Sequence, residues 1–277
     1  MKILVVIFTF LSISMFAQFT DDFSDGDFSA NPEWVGNTSD FIVNASNELQ
    51  LNGNAEDGGT SYLSTASESF YDASWEFLVK LDFYPSGSNY CDIYLSANTS
   101  EITAATQGYF VKIGNTADEI SLYRKDNTSS TMIIDGKDNR VDMASVNVRV
   151  KVTRDFDGNW TLMSDTLGGT NYYTEGSVFD NTYLNSQHFG VVCIYSKTRA
   201  NHFFFDDFIV AGDPYVDTVP PLFVSHQIID NQNIVLIFNE DLDPTTALNT
   251  DNYLIDNSIG HPASVSFYGA TNSQVLL

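Results

Sequence analysis

Basic residues are scarce: 12 Lys and Arg stand against 36 Asp and Glu, a formal charge of -24 over 277 residues. None follows Arg199. Phosphate backbones are held by clustered Lys and Arg, so nucleic acid is excluded as a partner. An acidic surface suits hard cations, which take oxygen ligands, and a solvated exterior is the plain alternative. Long apolar runs are missing as well. The uncharged run Ile3 to Phe16 falls short of the about 20 residues that span a hydrocarbon core. Led by Met1-Lys2 and followed by Ala17-Gln18, it has the n-region, h-region and small residue of a secretory signal. The expectation is export, with residues 1–17 as signal peptide, a secreted or cell-surface location, and no membrane span after cleavage.

Only two cysteines occur, Cys91 and Cys193, both inside strand-like runs. Export permits a disulfide. A free, buried thiol is the alternative, because alternation puts Cys91 with Ile93 and Leu95 on an inner face. Catalytic sets are lacking too. No Gly-x-Ser-x-Gly elbow occurs, and His188, His202, His226 and His261 neither pair nor recur at zinc spacing. Glycoside hydrolysis needs two facing carboxylates, whereas Asp21-Asp22 and Asp206-Asp207 are adjacent and point to opposite faces of a strand. The chain therefore reads as no enzyme.

What is present is period-two alternation. Trp75, Phe77, Val79, Leu81 and Phe83 alternate with Glu76, Lys80 and Asp82; Val146, Val148, Val150 and Val152 alternate with Asn147, Arg149, Lys151 and Thr153. These are half-buried strands. Turn clusters such as Asn52-Gly53-Asn54 and Asp157-Gly158-Asn159 punctuate the runs, which argues an all-β, two-sheet antiparallel sandwich over 18–212. No helical pattern of ten residues is found. Three of the seven prolines fall in 213–221, a semi-rigid linker. Strand-like runs at Phe223 to Ile229, Asn233 to Phe238, Tyr253 to Ile255, Ala263 to Tyr268 and Val275 to Leu277 make a second β unit over 222–277. At that length it is short for a sandwich of about 100 residues and reads as C-terminally truncated.

Several segments resemble a concanavalin-like, laminin-G-like jelly roll of secreted bacterial surface proteins, nearest to those that carry a lamin-tail domain. They are Asp21 to Phe28, the strand Trp75 to Phe83, the hairpin Arg149 to Trp160 and Phe203 to Phe208. Asp217-Thr218-Val219-Pro220-Pro221, Ile234 to Asp243 and Asn252-Tyr253 resemble the start of a surface-layer-type Ig-like module. The resemblance implies a jelly roll followed by an incomplete Ig-like β-sandwich, and display or binding at a cell surface. It also implies a structural calcium tying first strand to last, with Asp22, Asp25, Asp27 and Asp207 as ligands. Asp25 and Asp27 capping a turn through nearby amides is the alternative. Asp22 and Asp207 are expected to lean inward, Asp21 and Asp206 outward. Asp155-Phe156-Asp157-Gly158-Asn159 looks like a calcium loop, but its Gly comes fourth and the flanks make it a hairpin turn.

Trp34, Tyr172 and Tyr173, in loop-like segments, are the candidates for an exposed sugar platform, while Trp75, Phe77 and Trp160 belong to the core. The functional expectation is a non-catalytic protein for adhesion or ligand display, its partner an extracellular glycan or a surface protein. The alternative is the accessory N-terminal region of a secreted hydrolase.

Overall fold

The structure, a computed structural model, describes residues 17–214, 220–256 and 259–277. The expected signal peptide, save Ala17, and 215–219 of the expected linker lie outside the described residues. Two compact units divide the chain, Met1–Tyr215 and Val216–Leu277.

In chain order the strands of unit 1 are β1 (Ala17–Asp21), β2 (Val35–Gly36), β3 (Phe41–Val43), β4 (Leu49–Leu51) and β5 (Gly59–Ala66). Next come β6 (Tyr71–Leu81), β7 (Tyr90–Ala97), β8 (Thr106–Gly114), β9 (Glu119–Asn127) and β10 (Ser129–Ile134). The last five are β11 (Val146–Arg154), β12 (Asn159–Asp165), β13 (Tyr173–Phe179), β14 (His188–Tyr195) and β15 (Phe203–Asp213). They form two antiparallel sheets, ordered β13-β12-β11-β6-β15-β4-β3 with β1 also on β15, and β10-β9-β8-β7-β14-β5-β2. This is the two-sheet antiparallel sandwich that the alternation implies, with the jelly-roll architecture that the resemblance implies. β15 takes the residues to Asp213 into the sheet, one past the expected boundary.

The alternating residues of β6, β11, β12 and β15 meet those of β5, β7, β8, β9 and β14 in one core. Trp75, Phe77, Val79, Trp160, Phe205, Cys91, Ile93, Val111, Leu122, Val191 and Cys193 are all fully buried there. Trp75 and Trp160 stack at 5.6 Å and 11°. Burying one such side chain stabilises the fold by about 2–3 kcal/mol. Arg154 closes one end of this core at 1% exposure. Its guanidinium lies over Phe70, at 4.3 Å from the ring centre, and donates to the carbonyls of Phe70 and Asp155 and to Asn181.

The first and last strands meet. β1 pairs β15 with Asp21 opposite Phe208, while β4 holds the other half of the same edge at Phe204 and Phe205. Where β15 changes partner, its register against β6 slips between Asp206 and Ile209, and Asp207 takes φ +51°. The slip is a β-bulge, which re-aims side chains.

In unit 2 a four-stranded antiparallel sheet runs β16 (Phe223–Ile228), β17 (Ile234–Phe238), β19 (Gln274–Leu276), β18 (Ser266–Phe267). A short helix, α1 (Pro244–Ala247), is N-capped by Asp243, which accepts from the Thr245 N–H. Tyr253 to Ile255 is not a strand. Asn249 caps a 3-10 turn over Thr250–Asn252, and the Tyr253 hydroxyl donates to the Ala247 carbonyl at 2.7 Å, so the ring packs inward beside α1. Every residue of β16 is exposed.

Candidate functional site

Asp21-Asp22-Phe23 and Asp206-Asp207-Phe208 meet where β1 pairs β15, with Asp21 opposite Phe208. Asp21, Asp22, Asp25, Asn31, Arg149 and Asp207 line one cavity of about 440 Å³ where β1 closes on β15. Which member of the first pair leans inward differs from the expectation: Phe19 and Asp21, two apart in β1, both reach Trp34, so period two puts Asp21 on the inner side. β1 ends at Asp21 and Phe23 turns the chain at φ +50°, so period two stops there. Asp21 is half-buried; its carboxylate accepts from Trp34 Nε1 at 2.8 Å and from the Phe23 N–H at 3.0 Å, and burial raises its pKa. Asp22 is exposed. It accepts from the Ser24 hydroxyl and N–H at 2.6 and 3.1 Å, which holds its pKa below the usual value.

Asp25 accepts from the Asp27 N–H at 3.0 Å and Asp27 from the Ser29 N–H at 2.8 Å. Both are the turn-capping arrangement, and Asp27 is not part of the cavity lining. Asp207 pairs with Arg149 at 2.5 Å, and Glu76 stands 3.8 Å from the same guanidinium. Burial works against the Arg149 charge, but Asp207 outweighs it and raises the pKa. Among the described residues no three His, Cys, Asp or Glu side chains come together as a metal-holding group. Asp155 caps its hairpin by accepting from Gly158, Asn159 and the Asn159 amide, a turn as the sequence indicates.

The expected platform of Trp34, Tyr172 and Tyr173 does not form. Trp34 is 2% exposed, packed by Phe23 and Phe208 at 6.2 and 5.3 Å and by Phe189 at 6.1 Å. Its place in a loop is no guide, because β14 and β15 supply the rings that cover it. Tyr172 is half-buried beside Glu76 and Arg149, and burial, then Glu76, pushes its pKa up. Tyr173 is exposed, with the Arg140 guanidinium 4.6 Å from its ring centre.

An aromatic face lies instead on the outside of the seven-stranded sheet. Since Cys91, Ile93 and Leu95 point into the core, Tyr90, Asp92 and Tyr94 point outward. Register builds the face into transverse rows. Tyr62, Val192, Asp92 and Lys112 stand side by side across β5, β14, β7 and β8. Beside them Gly190, Tyr94, Phe110 and Tyr123 cross β14, β7, β8 and β9. Tyr94 and Phe110 stack at 5.0 Å, Phe110 and Tyr123 at 5.2 Å. Tyr94 and Phe110 are a buried floor, while Tyr62, Tyr90, Tyr123 and Ile194 are partly exposed.

One flank is closed by the β7–β8 connection. Ser64 Oγ donates to the Ser100 carbonyl at 2.7 Å, and Ile102 is buried with Tyr94, Ala97, Phe110 and Val192. Gly190 makes room for that contact: a Cβ there would stand 2.6 Å from Ile102 Cδ1 and 2.5 Å from the Leu63 carbonyl. At the centre Lys112 Nζ lies 2.9 Å from Asp92 Oδ1, 3.9 Å from the Tyr90 ring centre and 5.6 Å from those of Phe110 and Tyr123. Burial pushes the Tyr123 pKa up to about 12 and raises that of Tyr62, where Glu101 adds to it. Both phenols therefore stay protonated at neutral pH and can donate. The alternation of Tyr90, Asp92 and Tyr94 was the available signal for this face.

No family model and no curated protein matches the chain. Among solved structures it is similar to the carbohydrate binding module CBM66 from Bacillus subtilis, at 12% identity and TM-score 0.46 over 65% of this chain and 95% of that one. It is similar also to the Emp47p carbohydrate recognition domain, at 11% identity and TM-score 0.47 over 73% and 97%. The VIP36 exoplasmic/lumenal domain in a Ca2+/Man-bound form matches at 12% identity and TM-score 0.44 over 68% and 85%.

Proposed function

We propose that unit 1 is a non-catalytic module that binds neutral glycan on the outer face of its seven-stranded sheet, serving attachment or ligand display outside the cell. The observation that carries this reading is the grouping of the partly exposed Tyr62, Tyr90 and Tyr123 around the Lys112–Asp92 pair. Aromatic bodies with polar tips suit sugar rings, which offer apolar C–H faces edged by hydroxyls. Few, placed polar groups then fix orientation. Lys112 and Asp92 cancel in charge on the face, and the chain as a whole is strongly acidic, so sulfated or uronic polymers are disfavoured. The outside location rests on the signal-like residues 1–17 alone.

The test is a neutral-glycan array on the full chain, followed by calorimetry of Tyr62→Ala and Tyr123→Ala. Each substitution is expected to weaken a hit about tenfold, the loss of one anchor of about 1.4 kcal/mol, and to lower the unfolding midpoint by only a few degrees, since each ring also packs on the Phe110 cluster. Uniformly blank neutral glycans would leave this face without its ligand and sink the reading.

A structural calcium at the β1–β15 cavity is the second reading. Asp21, Asp22, Asp25 and Asp207 share that cavity, which favours it; Arg149, already paired with Asp207, ranks it second. Calcium added to chelator-treated protein decides, and a midpoint raised by several degrees would place calcium first. The accessory region of a secreted hydrolase is the same module in another setting, and a catalytic domain on the same polypeptide would identify it.

A further inference from the structure

Cys91 and Cys193 face each other directly across β7 and β14, in an unbroken stretch of register that runs from Gly190 opposite Tyr94 to Ile194 opposite Tyr90. Both side chains point into the core, both are fully buried, and both are free thiols in the structure. Directly opposed residues of an antiparallel pair have Cα atoms about 4.5 or 5.5 Å apart, depending on the type of pair. A disulfide accepts Cα separations of about 4.4–6.8 Å, so either type allows it. Opposed Cβ atoms lie about 4.5–5.5 Å apart against about 3.8 Å in a disulfide, so they need approach by about 0.7–1.7 Å.

We propose that Cys91 and Cys193 are an oxidation site: the chain closes a cross-strand disulfide between them as it folds in an oxidising compartment. A protein or small-molecule disulfide is the oxidant. One thiolate attacks it, forming a mixed disulfide and releasing a thiol. The second thiolate then attacks the Sγ of the first cysteine in that mixed disulfide, forming the Cys91–Cys193 bond and releasing the oxidant's remaining half as the other thiol. Two protons and two electrons leave the pair, and the oxidant becomes two thiols. The order of events follows from burial. In the folded sheet neither sulfur is reachable, and burial raises both thiol pKa values, which suppresses the thiolate that exchange requires. Closure therefore precedes completion of the sheet, and the native sandwich then shields the bond from reductant.

The bond would close a loop of about 100 residues, in the range where constraint of the unfolded chain is largest. The experiment refolds the denatured, reduced full chain in mixed oxidised and reduced glutathione, then denatures it in a maleimide. The expected product takes up no label, is lighter by two hydrogens, and takes up two labels after reduction. Its unfolding midpoint should stand about 10 °C above that of protein refolded with reductant. Two labels without reduction would overturn the proposal. So would a bridged product that melts no higher than the reduced one, since the bond would then not fit the native register. The refolding mixture supplies the oxidant, so neither result depends on export or on glycan binding.

Discussion

Arg149→Met removes the positive charge that Arg149 brings to the β1–β15 cavity while keeping most of the side-chain volume. In the wild type the Arg149 guanidinium bonds Asp207 at 2.5 Å, and its Nε donates to the Gly168 carbonyl at 3.2 Å. The Arg149 side chain is 14% exposed and that of Asp207 40%. Breaking a fully buried pair costs about 3–5 kcal/mol, whereas an exposed pair is worth about 0–1 kcal/mol. A pair with one member so open to water falls between, at about 2 kcal/mol. For a unit of this size that is a drop of about 4–8 °C in midpoint. Urea unfolding of Arg149→Met, Asp207→Asn and the double variant measures it, and the cycle should show a coupling near 1 kcal/mol or above. Molar salt should narrow the gap between wild type and Arg149→Met, because the exposed side of the pair is screened. A loss under about 0.5 kcal/mol, or strictly additive single effects, would refute the reading that the Arg149–Asp207 pair stabilises the fold at this cavity.

Arg154→Met keeps an apolar stem but takes the guanidinium off the Phe70 ring and leaves the Phe70 carbonyl without that donor; a cost of about 2–3 kcal/mol is expected in urea unfolding, and a loss under about 1 kcal/mol would contradict it. Asp206 has its pKa raised to about 6 by burial, with Asp207 and Glu48 adding to it and the Asp207 N–H opposing. Its folded pKa lies above its unfolded one, so its contribution is fully present below the ordinary value of 3.8 and is lost as pH rises through about 6. Asp206→Asn should accordingly gain about 1 kcal/mol over wild type at pH 7.5, discounted for partial exposure, and little at pH 4; an equal gain at both would rule this out. Gly190→Ala should push Ile102 off the sheet face, costing about 1–3 kcal/mol by overpacking, and normal stability with an unshifted 98–105 segment in hydrogen exchange would speak against that contact.

Period two made most of the sandwich legible. Val146 to Val152 and Trp75 to Leu81 present one clean apolar side each, and both are inner faces. The seven-stranded sheet defeats the same rule. Around Cys91 to Leu95 both sides carry large apolar residues, so alternation separates the faces without saying that Tyr94 and Phe110 pack on the outer one. That burial comes from Ile102, brought over by a connection whose path no local pattern records. Asp21 leans inward because it shares the side of Phe19 in β1, Asp22 lies past the strand end, and the bulge at Asp207 breaks the period in β15. Trp34 is hidden by rings more than 150 residues away in sequence, on β14 and β15. What failed at these positions was long-range covering or a strand end.

Amide chemical shifts of isotope-labelled protein, followed during titration with an array-positive neutral glycan, locate the ligand directly. Binding at the aromatic face predicts shifts confined to β5, β7, β8, β9 and β14, strongest near Tyr62, Tyr90, Lys112 and Tyr123. Shifts gathered instead on β1, the 22–34 loop and β15 around Asp207 would contradict the account and move the ligand to the acidic cavity.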